Sequence, residues 1–266
     1  MNILKSSALM AMTMATALPA VGAEALWAAG VDTEKGWYDF NKARNGQESE
    51  LCWAITAANL IAWWQDNLPS GELPANTPTG ESVWDVYRSS FSNSGSDPDQ
   101  GMRWWLNGKY EPSEAGSEAK FASVIREGVG AYYAAKDGGN DTLLWKILYR
   151  GRGGEVTART LSDAFYNGFS RGDAFWIGVN YYKPNGDLFM HALTVWGVEY
   201  ELNQDGTPRI TAIQMADSDD GARCLHRIRI KEEAGMLKFD CPEHPLYGRI
   251  GDITITTYAA LIAEKK

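Results

Sequence analysis

Cys52, His191 and the acids at 217–220 are the residues whose types and spacing could carry chemistry. The chain has three cysteines, an odd number, so at least one thiol stays outside any disulfide. Cys52 follows the polar run Gly46-Gln47-Glu48-Ser49-Glu50. It opens a stretch with Ile55, Ala58, Ala62 and Trp63-Trp64 at helical spacing. A helix start offers unpaired N–H groups and the positive end of the dipole, which together lower a thiol's pKa. The thiolate so formed is the species that attacks a carbonyl. The bland alternative for a lone cysteine is a small buried hydrophobe.

A thiolate nucleophile needs a base, and His191 follows Cys52 at an interval within the roughly 130–150 residues common to papain-type enzymes. A turn centred near Gln204 folds the following segment back, and antiparallel pairing then sets Asp217 opposite His191. A shift of the turn by one or two residues favours Asp219 or Asp220 instead. Each alternative puts a carboxylate beside the imidazole, which fixes its tautomer and stabilises its protonated form.

The other two thiols flank a second predicted hairpin with its turn near residues 232–235, which sets Cys224 roughly opposite Cys241 within disulfide reach. A zinc ion held by Cys224, His226, Cys241 and His244 is the competing reading. Residues 217–221 hint at a calcium loop, but Ile228 stands where the bidentate glutamate belongs. Gly151-Arg152-Gly153-Gly154 lacks the Lys-Ser/Thr of a phosphate loop. No cofactor or metal is expected for the chemistry.

The elements that must position these residues change period along the chain. A helix is predicted over 52–67, stopped by Pro69, with loops over 69–80 and 92–101. Further helices are predicted over 114–136, 142–149 and 161–169, the last capped by Thr160. Strands are predicted over 174–182, 188–202, 208–216, 225–230, 236–239 and 252–258, with turns at 184–187 and 203–206. Helices first and antiparallel strands afterwards point to an α+β fold. One domain over 24–266 is expected, helical to about 172 and β-rich from about 173.

The first residues read as a secretory leader. Lys5 precedes an apolar run over 6–21, and Val21-Gly22-Ala23 offers a small-residue cut after Ala23. The run is too short to span a bilayer and is broken by Pro19. A secreted or periplasmic location follows, where disulfides persist. The 266 residues are 44% hydrophobic and 22% charged, which excludes a mostly disordered chain. The net charge of −9 excludes nucleic acid and anionic membrane surfaces as partners. Most of the 11 tryptophans are expected in the core.

At these residues the sequence resembles the Mac/IdeS family of secreted bacterial immunoglobulin-degrading cysteine proteases. The resemblance rests on Leu26-Trp27-Ala28-Ala29-Gly30-Val31, on Gly36-Trp37-Tyr38-Asp39 through Lys42, Asn45 and Gly46 to Leu51-Cys52, and on Asn59 and Trp63-Trp64. His191, Trp196-Gly197, Asp205-Gly206 and Asp217-Ser218-Asp219 complete it. It implies a papain-like fold, a helical lobe whose nucleophile helix packs against an antiparallel sheet lobe. It implies Cys52 as nucleophile, His191 as base, Asp217 as its orienter and Asp219 in support. It also implies an oxyanion hole formed by Lys42 and the Cys52 amide, with Gln47 as a rival donor. Trp53 stands where the streptococcal enzymes of the family carry glycine, and the stretch between Cys52 and His191 is shorter than in those enzymes. The expected function is a secreted cysteine endopeptidase acting on immunoglobulin or another host protein. A hydrolase of another amide, such as a cell-wall peptide, and a catalytically idle immunoglobulin-binding module are the alternatives.

Overall fold

The computed structural model describes residues 23–43, 46–108, 130–134, 147–182, 185–245 and 247–263. Eight strands fall within them: β1 (Glu24–Trp27), β2 (Ile147–Arg152), β3 (Ala174–Tyr182), β4 (Leu188–Leu202), β5 (Pro208–Ala216), β6 (His226–Glu233), β7 (Met236–Phe239) and β8 (Thr254–Leu261). From β3 to β8 each strand pairs with the next, and β8 pairs back on β3 from Ala174↔Leu261 to Asn180↔Thr254. The result is a closed antiparallel barrel of six strands. The two remaining strands extend its wall. β1 lies along β4 beyond the end of β3, and β2 lies along β8 beyond β7.

This closed barrel overturns the expected papain-like fold of a helical lobe facing a sheet lobe. Among the described residues there are four short helices: α1 (Cys52–Asp66), α2 (Glu81–Ser90), α3 (Pro98–Asn107) and α4 (Ala158–Arg171). The reason lies in β4. Its 15 residues pair with β3 along one edge and β5 along the other, and register shifts at Val195/Gly197 and Glu199/Tyr200 bend it. Such irregularities increase twist and let a sheet curl until its edges meet. At the first of them Gly197 lies against Trp27 of β1, where a Cβ would sit 2.6 Å from the indole.

The barrel strands bury Ile177 and Val179, Leu193 and Val195, and Ile213 and Met215 at the two-residue period of a pleated strand, and Ile255 of β8 is buried with them. α1 is buried on all sides from Trp53 to Gln65, between β4 and the helices α2 and α3. A helix apolar around its whole circumference belongs in a core. Trp53, Trp63, Trp64, Trp104, Trp105 and Trp196 are all fully buried, as expected for most of the tryptophans.

Several predicted elements shift. α4 begins earlier than expected because Thr157, not Thr160, is its cap; Thr160 is the N3 partner in a capping box. Residues 92–101 are loop only to Asp97, after which α3 begins on Pro98. The helix predicted over 142–149 gives way to β2 where it is described, at 147–149. The rest of it, the helix predicted over 114–129 and 135–136, and the leader over 1–22 lie outside the described residues.

Candidate active site

Cys52 is the first residue of α1, after the turn closed by the Leu51 N–H on the Glu48 carbonyl at 3.0 Å. Glu48 shapes that turn: one carboxylate oxygen accepts the Ala43 N–H at 2.6 Å and the other meets Arg88 at 2.7 Å. Trp53, fully buried, donates its indole N–H to the Ser94 carbonyl at 2.8 Å and packs edge-on against Phe91, anchoring the start of the helix. The Cys52 amide belongs to the first turn of α1, whose N–H groups have no intrahelical acceptor.

His191 sits on β4 opposite Val179 of β3 and is 5% exposed. Its Nε2 bonds Asp217 Oδ1 at 2.7 Å. The pairing that delivers Asp217 is diagonal. The β4–β5 register runs Val195↔Met215 and Thr194↔Ala216 and, continued one residue past the end of β5, places Asp217 across from Leu193 rather than His191. Residues two apart on facing strands share a face and lie within side-chain reach. The acid predicted directly opposite His191 therefore reaches it from the neighbouring position, while the carboxylate of Asp219 stands 3.9 Å from the same nitrogen.

Asp217 is fully buried and meets three donors: Oδ1 takes the His191 Nε2 and the Asp219 N–H at 3.0 Å, and Oδ2 takes the Tyr247 hydroxyl. Burial pushes its carboxyl up, but His191, the Tyr247 hydroxyl and the Asp219 amide outweigh burial and hold it at about 2. His191 is pulled down by burial and pushed up by Asp217 and then Cys52, to about 10. Burial also pushes the Cys52 thiol up, while His191, the Lys42 ammonium and the Ala192 backbone bring it below its ordinary value. His191 Nδ1 is buried and makes no hydrogen bond of normal length and angle, yet ring and sulfur are close enough to shift each other's titration. Nε2 thus faces the acid and Nδ1 is left for the sulfur, the reverse of the assignment in serine triads.

The structure also brings Lys42 here. Its Nζ donates to the Ser49 carbonyl at 2.9 Å and pairs with Asp219 Oδ1 at 2.5 Å, and its side chain is 10% exposed. Gln47, the rival, is exposed. The strand of chain carrying Lys42 is tied to the acid-bearing loop: Lys42 N–H donates to the Ser218 carbonyl at 3.0 Å, and Asn41 bonds the backbone of Gly221 and Ala222.

The family model described as Mac 1 matches residues 20–71. That span holds Trp27, Lys42, Cys52 and Trp64, and the match agrees with the Mac/IdeS resemblance. No curated protein matches the chain. The chain is IdeS/Mac-like over residues 20–71, and His191 and Asp217 lie beyond the matched residues.

Cys224 and Cys241 do not form the expected disulfide; all three cysteines are free thiols. β6 and β7 pair Glu233↔Met236, so the turn is Ala234-Gly235, within the predicted 232–235 but centred two residues later than a pairing of Cys224 with Cys241 requires. Ile230↔Phe239 continues that register and leaves Cys224 and Cys241 out of step. Cys224 instead lies by Asp220 and His226, with its N–H on buried Asp39 Oδ2 at 3.0 Å. Burial, with Asp220 and Asp217 nearby, raises the Asp39 carboxyl to about 8 against the Cys224 amide. Sequence reasoning missed Tyr247, which lies in a stretch without period and is brought to Asp217 only by the fold. Asn59 carried a signal that went unread: a polar residue inside an apolar helix must find partners.

Proposed function

We propose that the chain is a secreted cysteine endopeptidase that cleaves immunoglobulin or another host protein. The observation that carries the reading is the His191 Nε2–Asp217 Oδ1 bond of 2.7 Å, with Cys52 at a helix start acting on the same ring. The Mac 1 match over residues 20–71 supports the same chemistry.

In this reading the raised imidazole and lowered thiol make a thiolate–imidazolium pair near neutral pH. The Cys52 sulfur attacks a peptide carbonyl. The oxyanion rests on the Cys52 amide and on Lys42, whose ammonium spends two of its three donors on Ser49 and Asp219. His191 then gives its proton to the leaving amine, and later takes one from the water that hydrolyses the thioester. Asp217 holds the ring and its charge throughout, and Asp219 orients Lys42.

The test is incubation of residues 24–266 with purified immunoglobulins, casein and muropeptides, beside Cys52→Ala, with fragments read on a gel and by mass spectrometry. Discrete immunoglobulin fragments absent from the control support the reading. Muropeptide products alone move the substrate to the cell wall. Rapid iodoacetamide labelling of Cys52 without cleavage of anything in the panel removes immunoglobulin as substrate, and labelling no faster than an ordinary exposed thiol removes the enzyme altogether.

A further inference from the structure

Beside the candidate active site, three side chains of different chemistry converge and no step of the proposed reaction uses them. Cys224 Sγ is 3.5 Å from His226 Nε2 and 3.6 Å from Asp220 Oδ2, and His226 Nε2 is 2.5 Å from Asp220 Oδ2. The potential ligand atoms of all three lie within 4.8 Å of one another. They do not form a second nucleophile–base pair. The Tyr247 N–H donates to His244 Nδ1 at 3.2 Å, so His244 carries its proton on Nε2 and donates it to His226 Nδ1 at 3.0 Å. His226 must then hold its own proton on Nε2 and direct it at Asp220, which leaves no basic nitrogen for the thiol.

The geometry does suit a metal. For a tetrahedral zinc, with Zn–S of about 2.3 Å and Zn–N and Zn–O of about 2.0–2.1 Å, sulfur sits roughly 3.5 Å from each lighter ligand. Both sulfur edges of the cluster already have that length. The nitrogen–oxygen edge must open from 2.5 Å to about 3.3 Å once an ion replaces the proton between the two atoms. The support around the ligands is in place. Asp220 Oδ1 accepts the Ala222 N–H at 2.7 Å, Asp39 holds the Cys224 amide, and Asn41 holds Gly221. His244 stands behind His226 as the outer partner that fixes a ligating imidazole. Side-chain exposures of 17% for His226 and 12% for Asp220 leave a way in for an ion and room for a water as fourth ligand.

We propose that Asp220, Cys224 and His226 form a zinc site that pins the loop after β5 to the start of β6. The set differs from the zinc ligands considered from the sequence: Asp220 takes the place of Cys241, and His244 supports rather than ligates. Binding releases the Cys224 thiol proton. The His226 Nε2 proton is made good at Nδ1 from His244, which takes up a proton at its own Nδ1 and gives up the Tyr247 N–H bond. Because Asp217 and Asp219 sit in the same loop, zinc holds the site's acids in place.

Cobalt serves as the visible probe. In the Cys52→Ala protein, which removes the only thiol of the candidate active site, Co²⁺ should give a thiolate-to-cobalt charge-transfer band of one-to-one stoichiometry that Zn²⁺ abolishes. The band should vanish in Cys52→Ala/Cys224→Ser, persist in Cys52→Ala/Cys241→Ser, and need at least tenfold more cobalt in Cys52→Ala/Asp220→Asn. Zn²⁺ should raise the Tm of the Cys52→Ala protein and leave that of the Cys224→Ser variant unmoved. A band that survives Cys224→Ser, one lost with Cys241→Ser, or no band in a parent protein whose circular dichroism shows it folded, overturns the proposal.

Discussion

Replacing Asp217 with asparagine tests the electrostatics of the site with little change of shape. The amide oxygen can still accept the His191 Nε2–H and the Asp219 N–H, and the Tyr247 hydroxyl can turn to accept from the new amide nitrogen. What is lost is a buried charge 2.7 Å from the ring. At an effective dielectric constant of about 20, a unit charge some 4 Å away is worth about 4 kcal/mol. That is about three pKa units, comparable with the rise of His191 from 6.5 to about 10. The thiolate–imidazolium pair should therefore fall by about 10²–10³ relative to the neutral pair. The assay is the rate of iodoacetamide modification of the Cys52 peptide, read by mass spectrometry from pH 4 to 11 so that Cys224 and Cys241 are scored separately. In the parent, Cys52 loses its proton below the usual thiol range and His191 keeps its own until the pH rises through about 10. Reactivity should thus extend below the usual thiol range, and turnover should fail above about 10, where no imidazolium remains to protonate the leaving amine. In Asp217→Asn the acid limb should disappear and labelling should rise only with alkaline pH. The stability linkage has the same window. Asp217 stabilises the fold above its unfolded value and loses that contribution as pH falls toward about 2; His191 contributes below its unfolded value and loses it as pH rises through about 10. If Asp217→Asn labels at pH 6 as fast as the parent while His191→Ala is slow, Asp217 does not stabilise the imidazolium and the reasoning fails.

Lys42→Met should lower kcat by about 10²–10³ with little change in KM, the cost of one oxyanion donor, as measured on whichever protein substrate the gel assay identifies. An unchanged kcat would remove Lys42 from the oxyanion hole. Tyr247→Phe leaves the Oδ2 of buried Asp217 without its donor and should cost about 1–3 kcal/mol, seen as a Tm several degrees lower, with the acid limb of Cys52 labelling moved to higher pH. Gly197→Ala drives a Cβ to 2.6 Å from the Trp27 indole and should cost about 1–3 kcal/mol. Amide exchange at residues 24–27 should accelerate before exchange in the other barrel strands.

What could be seen in the sequence depended on how local the governing contact is. The β4–β5 hairpin is local: a short turn and the two-residue period set which side chains share a face, so His191 could be matched to an acid even though the predicted partner was offset by two positions. The β6–β7 hairpin shows the limit of the same method. The turn lies at Ala234-Gly235, and a small error in its centre was enough to suggest a disulfide between two thiols that are never brought opposite each other. Barrel closure is of another kind. It requires β8 to return to β3 and β4 to bend at two register shifts, and neither long-range pairing nor a bulge leaves a periodic trace in composition. β1 and β2 were missed for that reason: each adds to a strand far along the chain and would not be stable alone.

The assembly of the site itself turns on a residue whose meaning only the fold supplies. Asn59 is 2% exposed in a mostly apolar helix, and a side-chain amide buried without partners is costly. Its oxygen accepts the Phe40 N–H at 3.0 Å and its nitrogen donates to Thr194 Oγ1 at 3.1 Å. Phe40 is two residues before Lys42, Thr194 is three after His191, and Asn59 lies two turns down the helix from Cys52. One buried amide therefore joins the three segments that carry the proposed nucleophile, base and oxyanion donor. The helix start presents the proposed nucleophile and the hairpin supplies His191 with its acid, but neither puts sulfur next to imidazole. That proximity comes from packing α1 on β4, and Asn59 sets the register of the packing, since sliding the helix by one turn would strand both of its hydrogen bonds in the core.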